Sequence, residues 1–150
     1  MTSPITQEIW MHGSAIQIAY LERAMSVHRG GISGTEITHS TSSDNWLPMA
    51  VPVPAMVNGG QVLLVKVMVE LELKGDIAVT DVQALDGMAV VAEFKTQLQA
   101  GQHSEQFELH HEVKRGVCVN IRYVAGGDPD VPESGFIRIF GVGCQYRTPS

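Results

Sequence analysis

The 150-residue sequence contains only two cysteines, Cys118 and Cys144, and 6% aromatic residues. Two cysteines are too few for a disulfide framework or for a cysteine-rich zinc site. Charged residues make up 17% of the chain, and the net charge of -6 includes no block of Lys and Arg. A surface that follows the phosphates of a nucleic acid needs such a block. We therefore expect no nucleic-acid partner.

Long apolar runs are missing as well. No stretch approaches the ~20 apolar residues of a membrane span. The first residues, MTSPITQEIWMHGS, lack the basic start and apolar core of a secretory signal. We therefore expect no membrane association and a cytoplasmic location. The length of 150 residues fits one domain that covers residues 1–150.

What the sequence does contain is an alternation of apolar and polar residues with a period of two. In QVLLVKVMVELEL, every second residue is apolar and is predicted to face a core, namely Leu63, Val65, Val67, Val69, Leu71 and Leu73. The segment GVCVNIRYVAG alternates in the same way. Further strands are predicted in EIWMHGSAIQIAY, with a bend at Gly13, and in HSEQFELHHEVKR. For the second segment the alternative is a one-turn helix with Ser104 as its N-cap.

Turns and two-sided apolar segments complete the prediction of the fold. Asp86-Gly87 predicts a tight hairpin between two strands. The segment GFIRIFGVGCQYR is apolar on both faces, which is typical of a central strand. About eight to ten strands with Gly and Pro turns, and no helical spacing, predict an all-β fold, an antiparallel β-sandwich or jelly roll.

The two cysteines leave two alternatives open. If their strands formed a hairpin symmetric about residue 131, Cys118 and Cys144 would lie opposite each other and a disulfide bridge could form. The other interpretation is that both are small apolar side chains with free thiols, as expected in a reducing compartment.

The segment NWLPMAVPVPAM combines a tryptophan with three prolines. Pro48, Pro52 and Pro54 cannot donate backbone hydrogen bonds, so we expect an extended segment that lies at a sheet edge or crosses between the sheets. Large aromatic residues are mostly buried, which favours Trp46 and Met49 as a cap on the core. The alternative is a ligand platform, in which the Trp46 ring lies beside polar side chains.

The predicted ligand-binding residues of that platform are Trp46, Asp44, Asn45, His12 and His39. No H-x-H or H-E-x-x-H pattern occurs, so we expect neither a metal site nor a cofactor. The acidic segment GGDPDVPESG is interpreted as a solvated turn, and the alternative is a calcium loop with oxygens from Asp128, Asp130 and Glu133.

Four segments together resemble a known family: WMHGSAIQI, NWLPMAVPVPAMVNGGQVLLVKV, GVCVNIRY and GFIRIFGVGCQY. They are similar to an uncharacterised family of small bacterial β-sandwich proteins, in which an HG near the start and an NW followed by P-x-P recur. The resemblance spans most of the chain. It implies the fold and no activity.

Three functions remain as hypotheses. We expect a non-enzymatic binding or interaction module that forms homo-oligomers through exposed strand edges and the apolar, proline-containing segment. A small-molecule or carbohydrate site near Trp46 is the second hypothesis and overlaps with the first. The alternative is a small β-sandwich enzyme that uses a histidine as acid or base.

Overall fold

The computed structural model describes residues 4–29, 34–39, 43–126 and 135–149. In chain order its strands are β1 (Ile5–His12), β2 (Ala24–His28), β3 (Thr35–His39), β4 (Ser43–Val51), β5 (Met56–Val57), β6 (Gly60–Gln61), β7 (Leu63–Lys74), β8 (Ile77–Asp86), β9 (Ala89–Leu98), β10 (Gly101–Glu112), β11 (Val117–Ala125) and β12 (Phe136–Thr148). Two short 3-10 helices cover Gly13–Ala15 and Leu21–Arg23. Within the described residues, no helix has the length and hydrophobicity needed to cross a membrane.

The strands form an antiparallel β-sandwich, which confirms the predicted fold class. One sheet has the order β10-β7-β12-β3-β2, and β1 pairs with the part of β12 that β3 leaves unpaired. The facing sheet has the order β4-β11-β8-β9. The described residues contain twelve strands rather than eight to ten, and two of these, β5 and β6, form a separate two-residue ribbon.

The core lies between the inward faces of the two sheets. Strand β11 has the strict alternation that the sequence predicts, with buried residues at every second position. Strand β12 is central, as predicted, with β7 on one side and both β1 and β3 on the other. Among the largest fully buried side chains are Tyr123, Ile121, Ile137, Ile139, Leu47 and Leu71.

Strand β7 follows the predicted alternation only from Val67 onwards. Leu64 is fully buried, whereas Leu63 and Val65 are half-buried. Consecutive residues of β12 lie opposite Leu64 and Lys66, so Val65 is an extra residue that reverses the phase of the strand. The predicted placement of Leu63 and Val65 on the core face is therefore wrong, because a β-bulge changes which side chains point inward.

The Asp86-Gly87 hairpin is confirmed. Asp86 pairs with Ala89, and Gly87 has a φ of 61°. A positive φ at the first position of a two-residue loop suits glycine and matches the twist of the flanking strands.

Of the two alternatives for the cysteines, the hairpin between their strands is wrong. Cys118 lies on β11, which pairs with β4 and β8, whereas Cys144 lies on β12 in the other sheet. Both thiols are free. Cys144 is fully buried, and this burial raises the pKa of its thiol to about 12. It is therefore a small apolar filler of the core, while Cys118 is half-buried on the outer face.

Candidate functional site

The site is built on β4, which contains Pro48 and is an edge strand of the four-stranded sheet, as predicted. The outer edge of β4 is partly covered by the chain that follows β1. The Gln17 N–H donates to the Pro48 carbonyl at 3.0 Å, and the Ala19 N–H donates to the Trp46 carbonyl at 2.9 Å. This covering segment fixes the backbone of β4 from Trp46 to Pro48.

The alternation of β4 divides the residues predicted to form the platform between its two faces. Asn45 and Met49 point inward and are buried, whereas Asp44 and Trp46 point outward and are half-buried. Met49 therefore packs in the core as predicted. The prediction that Trp46 caps the core is wrong, because the period of two places it on the opposite face from Met49.

An arginine from the neighbouring strand lies beside Trp46. Arg122 of β11 is the cross-strand partner of Trp46. Its Nε and Nη2 atoms donate to Asp44 Oδ2 at 3.1 and 3.0 Å, and its Nη1 atom lies 3.4 Å from Asp81 Oδ2. Lys95 of β9 also donates to Asp81. We call these five residues, Asp44, Trp46, Asp81, Lys95 and Arg122, the Trp46 face.

Asp81 is 3% exposed although it lies on the outer face. Burial alone would raise its pKa, but the hydrogen bonds from Lys95, Thr80 and Arg122 outweigh burial and hold the pKa of Asp81 below its ordinary value. The carboxylate is therefore charged at neutral pH and fixes Arg122 in place.

Tyr20 and Arg23 extend this surface beyond β4. The Arg23 guanidinium stands 4.0 Å from the centre of the Tyr20 ring, and its Nη1 atom donates to Asp44 Oδ1 at 3.1 Å. Tyr20 is 41% exposed. The surface beside Trp46 thus offers a second aromatic ring and a second arginine.

Asn45 positions this extension from inside the protein. Its Oδ1 atom accepts from the Tyr20 N–H at 3.0 Å, and its Nδ2 atom donates to the Tyr20 carbonyl at 2.9 Å. The amide thus pairs with Tyr20 much as a neighbouring strand would. In this structure Asn45 is fully buried and does not present its amide to solvent.

His39 belongs to a buried chain of hydrogen bonds. Tyr123, which is hydrogen-bonded to Asn45, lies 2.8 Å from His39 Nδ1, and Ser43 Oγ lies 2.6 Å from His39 Nε2. Burial and the nearby charge of Arg23 lower the pKa of His39. The imidazole is therefore neutral at neutral pH, and both of its nitrogens are occupied inside the protein.

His12 lies on the other side of the sandwich. It ends β1 opposite Gly141 of β12 and points outward from the six-stranded sheet, in phase with Trp10. The outer faces of two packed sheets point in opposite directions. The structure therefore groups Trp46 with Asp44, places Asn45 and His39 beneath them, and does not bring His12 to this site.

A groove adjoins the Trp46 face. It has a volume of about 500 Å³, and its lining includes Ala78, Thr80, Gln97 and Val124. Val124 is the cross-strand partner of Asp44, and the Thr80 hydroxyl accepts from Arg122 Nη1 at 3.2 Å. The groove therefore begins one residue row away from Trp46 and adds both amide and small apolar groups.

Sequence reasoning did not identify Arg122 as part of this site. It lies 78 positions from Asp44 in the chain, and only the pairing of β11 with β4 brings the two together. Its outward position in an alternating strand was the one available signal. Within the described residues, no three His, Cys, Asp or Glu side chains form a group that could hold a metal ion. The predicted acidic loop (Asp128, Asp130 and Glu133) lies outside the described residues.

Comparison with known proteins gives the fold and the family. No curated protein matches the chain in sequence. The apo structure of BiXyn10A CBM1 is similar to the chain, with a TM-score of 0.55 and 14% identity over 95% of this chain and 97% of that one. The native structure of a family 35 carbohydrate binding module from Clostridium thermocellum is similar with a TM-score of 0.50 and 11% identity, over 95% and 99%. These likenesses concern the β-sandwich fold alone.

The family itself follows from the sequence match. The model described as a family of unknown function, DUF6623, matches residues 5–149, nearly the whole chain. This match confirms the resemblance to an uncharacterised family that the short motifs indicate. The chain therefore belongs to the family of unknown function DUF6623.

Proposed function

We propose that the chain is a non-enzymatic binding module that holds a neutral carbohydrate on the Trp46 face. One observation carries the proposal. A half-buried indole lies on the same sheet face as the Asp44–Arg122 pair, one row from a groove of about 500 Å³. Aromatic rings supply a flat apolar surface, and paired charged groups supply directional hydrogen bonds. A sugar ring combines an apolar face with hydroxyl groups at its edge, and both parts of the surface suit it.

The charge balance favours a neutral ligand. The cations of this surface are Arg23, Arg122 and Lys95, and each has an anionic partner within hydrogen-bond distance among Asp44, Asp81 and Glu93. A phosphate or carboxylate ligand would have to compete with these partners for each cation. The hydroxyl groups of a sugar can instead donate to the carboxylates and accept from the guanidinium groups. Both the anions and the cations of this surface can therefore bind a neutral sugar.

The fold likeness is compatible with this class of ligand. One of the two similar structures is named a carbohydrate binding module. At 11% identity this likeness speaks for the scaffold, whereas the ligand class follows from the surface itself.

Electrophoresis through native gels that contain soluble neutral polysaccharides tests the proposal. We use a β-glucan, a xylan and a galactan as probes. We expect at least one probe to retard the wild-type chain, and we expect Trp46→Ala and Arg122→Ala to reduce this retardation. Met56→Ala is the matched control, because Met56 is 63% exposed on the separate β5–β6 ribbon. Full retardation of both site variants would refute the Trp46 face as the binding surface.

We also propose that the chain self-associates through the β8–β9 hairpin. Met88 and Val90 at this hairpin are 95% and 51% exposed. Exposed apolar side chains that cluster at one tip are typical of contact surfaces. The edge of β4 is less suited to this role, because Gln17 and Ala19 already hydrogen-bond to it.

A further inference from the structure

The second tryptophan of the chain, Trp10, lies on the outer face of the six-stranded sheet. It is 41% exposed and stands opposite Gly143 of β12. Trp46 lies on the outer face of the other sheet. The two tryptophans therefore occupy opposite sides of the sandwich, and Trp10 takes no part in the site described above.

Gly143 leaves the space in which the Trp10 ring packs against β12. A Cβ atom at position 143 would lie 2.7 Å from Cδ2 and 2.9 Å from both Cε2 and Cε3 of the indole. The atom Cδ2 belongs to both rings of the indole. Because the Cβ position is nearest to Cδ2 and almost as near to its neighbours Cε2 and Cε3, it lies beneath the plane of the indole and not beside its edge. Only glycine leaves this space free. The indole thus lies flat on β12, and its other side points away from the sheet.

A hydrogen bond holds the edge of the Trp10 ring, and a buried side chain lies next to the strand on which the ring packs. Trp10 Nε1 donates to Glu8 Oε1 at 2.9 Å. Met68 of β7 is the other cross-strand partner of Gly143, and it is 3% exposed although it belongs to the outer face. A tryptophan held at both its edge and its underside loses little side-chain entropy when a ligand stacks on it.

Polar side chains surround this ring at the spacing of the sheet. The outward row on one side contains Glu8, Gln145 and Lys66, and the row on the other side contains His12 and Glu70. Each row lies two residues from the Trp10 row, which is about 7 Å along a strand. That distance is within reach of the hydroxyl groups of a sugar ring stacked on the indole.

His12 contributes an available donor to this rim. Its Nδ1 atom accepts from the Ser14 N–H at 3.1 Å, which leaves the ring proton on Nε2. Among the described residues, no hydrogen-bond partner faces His12 Nε2. This nitrogen can therefore donate to a ligand without breaking an internal bond.

The size of the apolar area favours a small ligand over a protein. A tryptophan that is 41% exposed offers roughly 100 Å² of surface. A stable protein interface buries about 800 Å² on each partner, and its centre is poor in charged residues. Glu8, Lys66 and Glu70 lie immediately around Trp10. One sugar ring matches the apolar area and the polar rim better than a second protein does.

We propose that Trp10 is the stacking surface of a second saccharide site, with Glu8, His12 and Gln145 as its polar rim. The ligand class rests on the proposed function, but the residues are separate from the Trp46 face. With sites on opposite sides of the sandwich, one molecule of the protein is able to bridge two polysaccharide chains.

The variant Trp46→Phe tests this proposal, because Trp10 is then the only tryptophan. We titrate it with the same β-glucan, xylan and galactan. We expect a saturable change in Trp10 emission, and less quenching of Trp10 by acrylamide once the polysaccharide is bound. Trp10→Ala should weaken binding at this site by about tenfold or more. Unchanged emission and unchanged quenching of Trp10, with a probe that binds the wild type, would overturn the proposal.

Gly143→Ala disturbs the proposed site without replacing Trp10. The added Cβ must displace the indole, so in the Trp46→Phe background we expect a lower affinity and altered Trp10 quenching. Gly116→Ala is the matched control, because nothing lies within 4 Å of a Cβ at that position. Circular dichroism checks that each variant folds. Equal affinity of Gly143→Ala and Gly116→Ala for the polysaccharide would contradict the proposed role of Gly143 in supporting the Trp10 ring.

The outcomes separate the two sites. If Trp46→Ala abolishes all polysaccharide binding, the Trp10 site is refuted and the Trp46 face stands. If Trp10→Ala abolishes all binding, the Trp46 face is refuted and the Trp10 site stands. A wild-type chain that binds none of the three probes refutes both. Reduced binding in each single variant, with loss only in the double variant, supports both sites, and the wild type alone should then make a long polysaccharide turbid by cross-linking.

Discussion

At the scale of single residues, Asp86 joins the β8–β9 hairpin to the turn between β10 and β11. Its carboxylate accepts hydrogen bonds from the His111 ring and from the backbone N–H groups of residues 114–116, at 2.7 to 3.0 Å. Asp86 is 7% exposed. Burial alone would raise its pKa, but these hydrogen bonds outweigh burial and lower the pKa of Asp86 well below its ordinary value of 3.8.

We therefore expect Asp86 to make the protein sensitive to acid. A carboxylate whose pKa is lowered on folding stabilises the protein fully above the unfolded pKa, and this contribution is lost as the pH falls through the folded pKa. In Asp86→Asn, the free energy of unfolding at pH 7 should fall by about 2 kcal/mol. The difference from the wild type should shrink as the pH falls below about 4. Urea unfolding measured over a pH series checks both expectations.

The exposed Asp76 provides the control for this prediction. Asp76→Asn should keep nearly the stability of the wild type over the same pH range. If the curves of Asp86→Asn and the wild type ran parallel down to the lowest pH, the proposed role of the Asp86 carboxylate would be wrong.

At the scale of elements, the buried amide of Asn45 holds the segment that carries Tyr20 against β4. Asn45→Ala removes the partners of the Tyr20 N–H and carbonyl groups. We expect a loss of about 2–4 kcal/mol in the free energy of unfolding. Polysaccharide retardation should weaken as well, since Tyr20 and Arg23 lose their fixed position.

Gln17→Ala is the control on the same covering segment. The Gln17 side chain is exposed, and among the described residues its one hydrogen bond is to the Ala15 carbonyl, at 3.3 Å. Its replacement should change stability by less than about 0.5 kcal/mol. Equal unfolding free energies for the two variants would show that the Asn45 amide does not secure this segment.

The elements also show how far the sequence predicts the fold. Strict alternation identified β11, and two-sided hydrophobicity identified β12 as a central strand. Alternation failed where β7 has its bulge at Val65, since a bulge depends on pairing with the neighbouring strands. The alternative that placed Cys118 opposite Cys144 is wrong for a similar reason, because the separation of two strands in the chain does not decide which sheet each one joins. The other interpretation, two free thiols, is confirmed.

The candidate sites were less predictable than the strands. The sequence placed Trp46 beside Asp44, and both do share one face. The partners that complete each site come from distant parts of the chain. Arg122 reaches Asp44 through strand pairing, and Gly143 supports Trp10 across β1 and β12. Neither relation leaves a local pattern in the sequence.

At the scale of the whole molecule, the proposed self-association is tested by light scattering. We expect the wild type to exceed the mass of one chain as concentration rises. Met88→Glu places a charge at the 95% exposed tip of the hairpin and should restore the mass of one chain. Met56→Glu serves as the control at another exposed methionine. A wild type that keeps the mass of one chain at every concentration would contradict the proposal.

Two separate faces with one tryptophan each also allow the binding proposal to be measured site by site. The Trp10→Phe variant keeps Trp46 as the only tryptophan. The proposal places the ligand on Trp46, so the emission of Trp46 reports binding at that face directly.

The most direct measurement is therefore a titration of Trp10→Phe with the neutral polysaccharide that retards the wild type. We expect a saturable change in Trp46 emission that disappears when Arg122→Ala is added, while the circular dichroism spectrum stays that of a β-sandwich. Constant Trp46 emission over the whole titration, in a folded variant, would contradict carbohydrate binding at the Trp46 face.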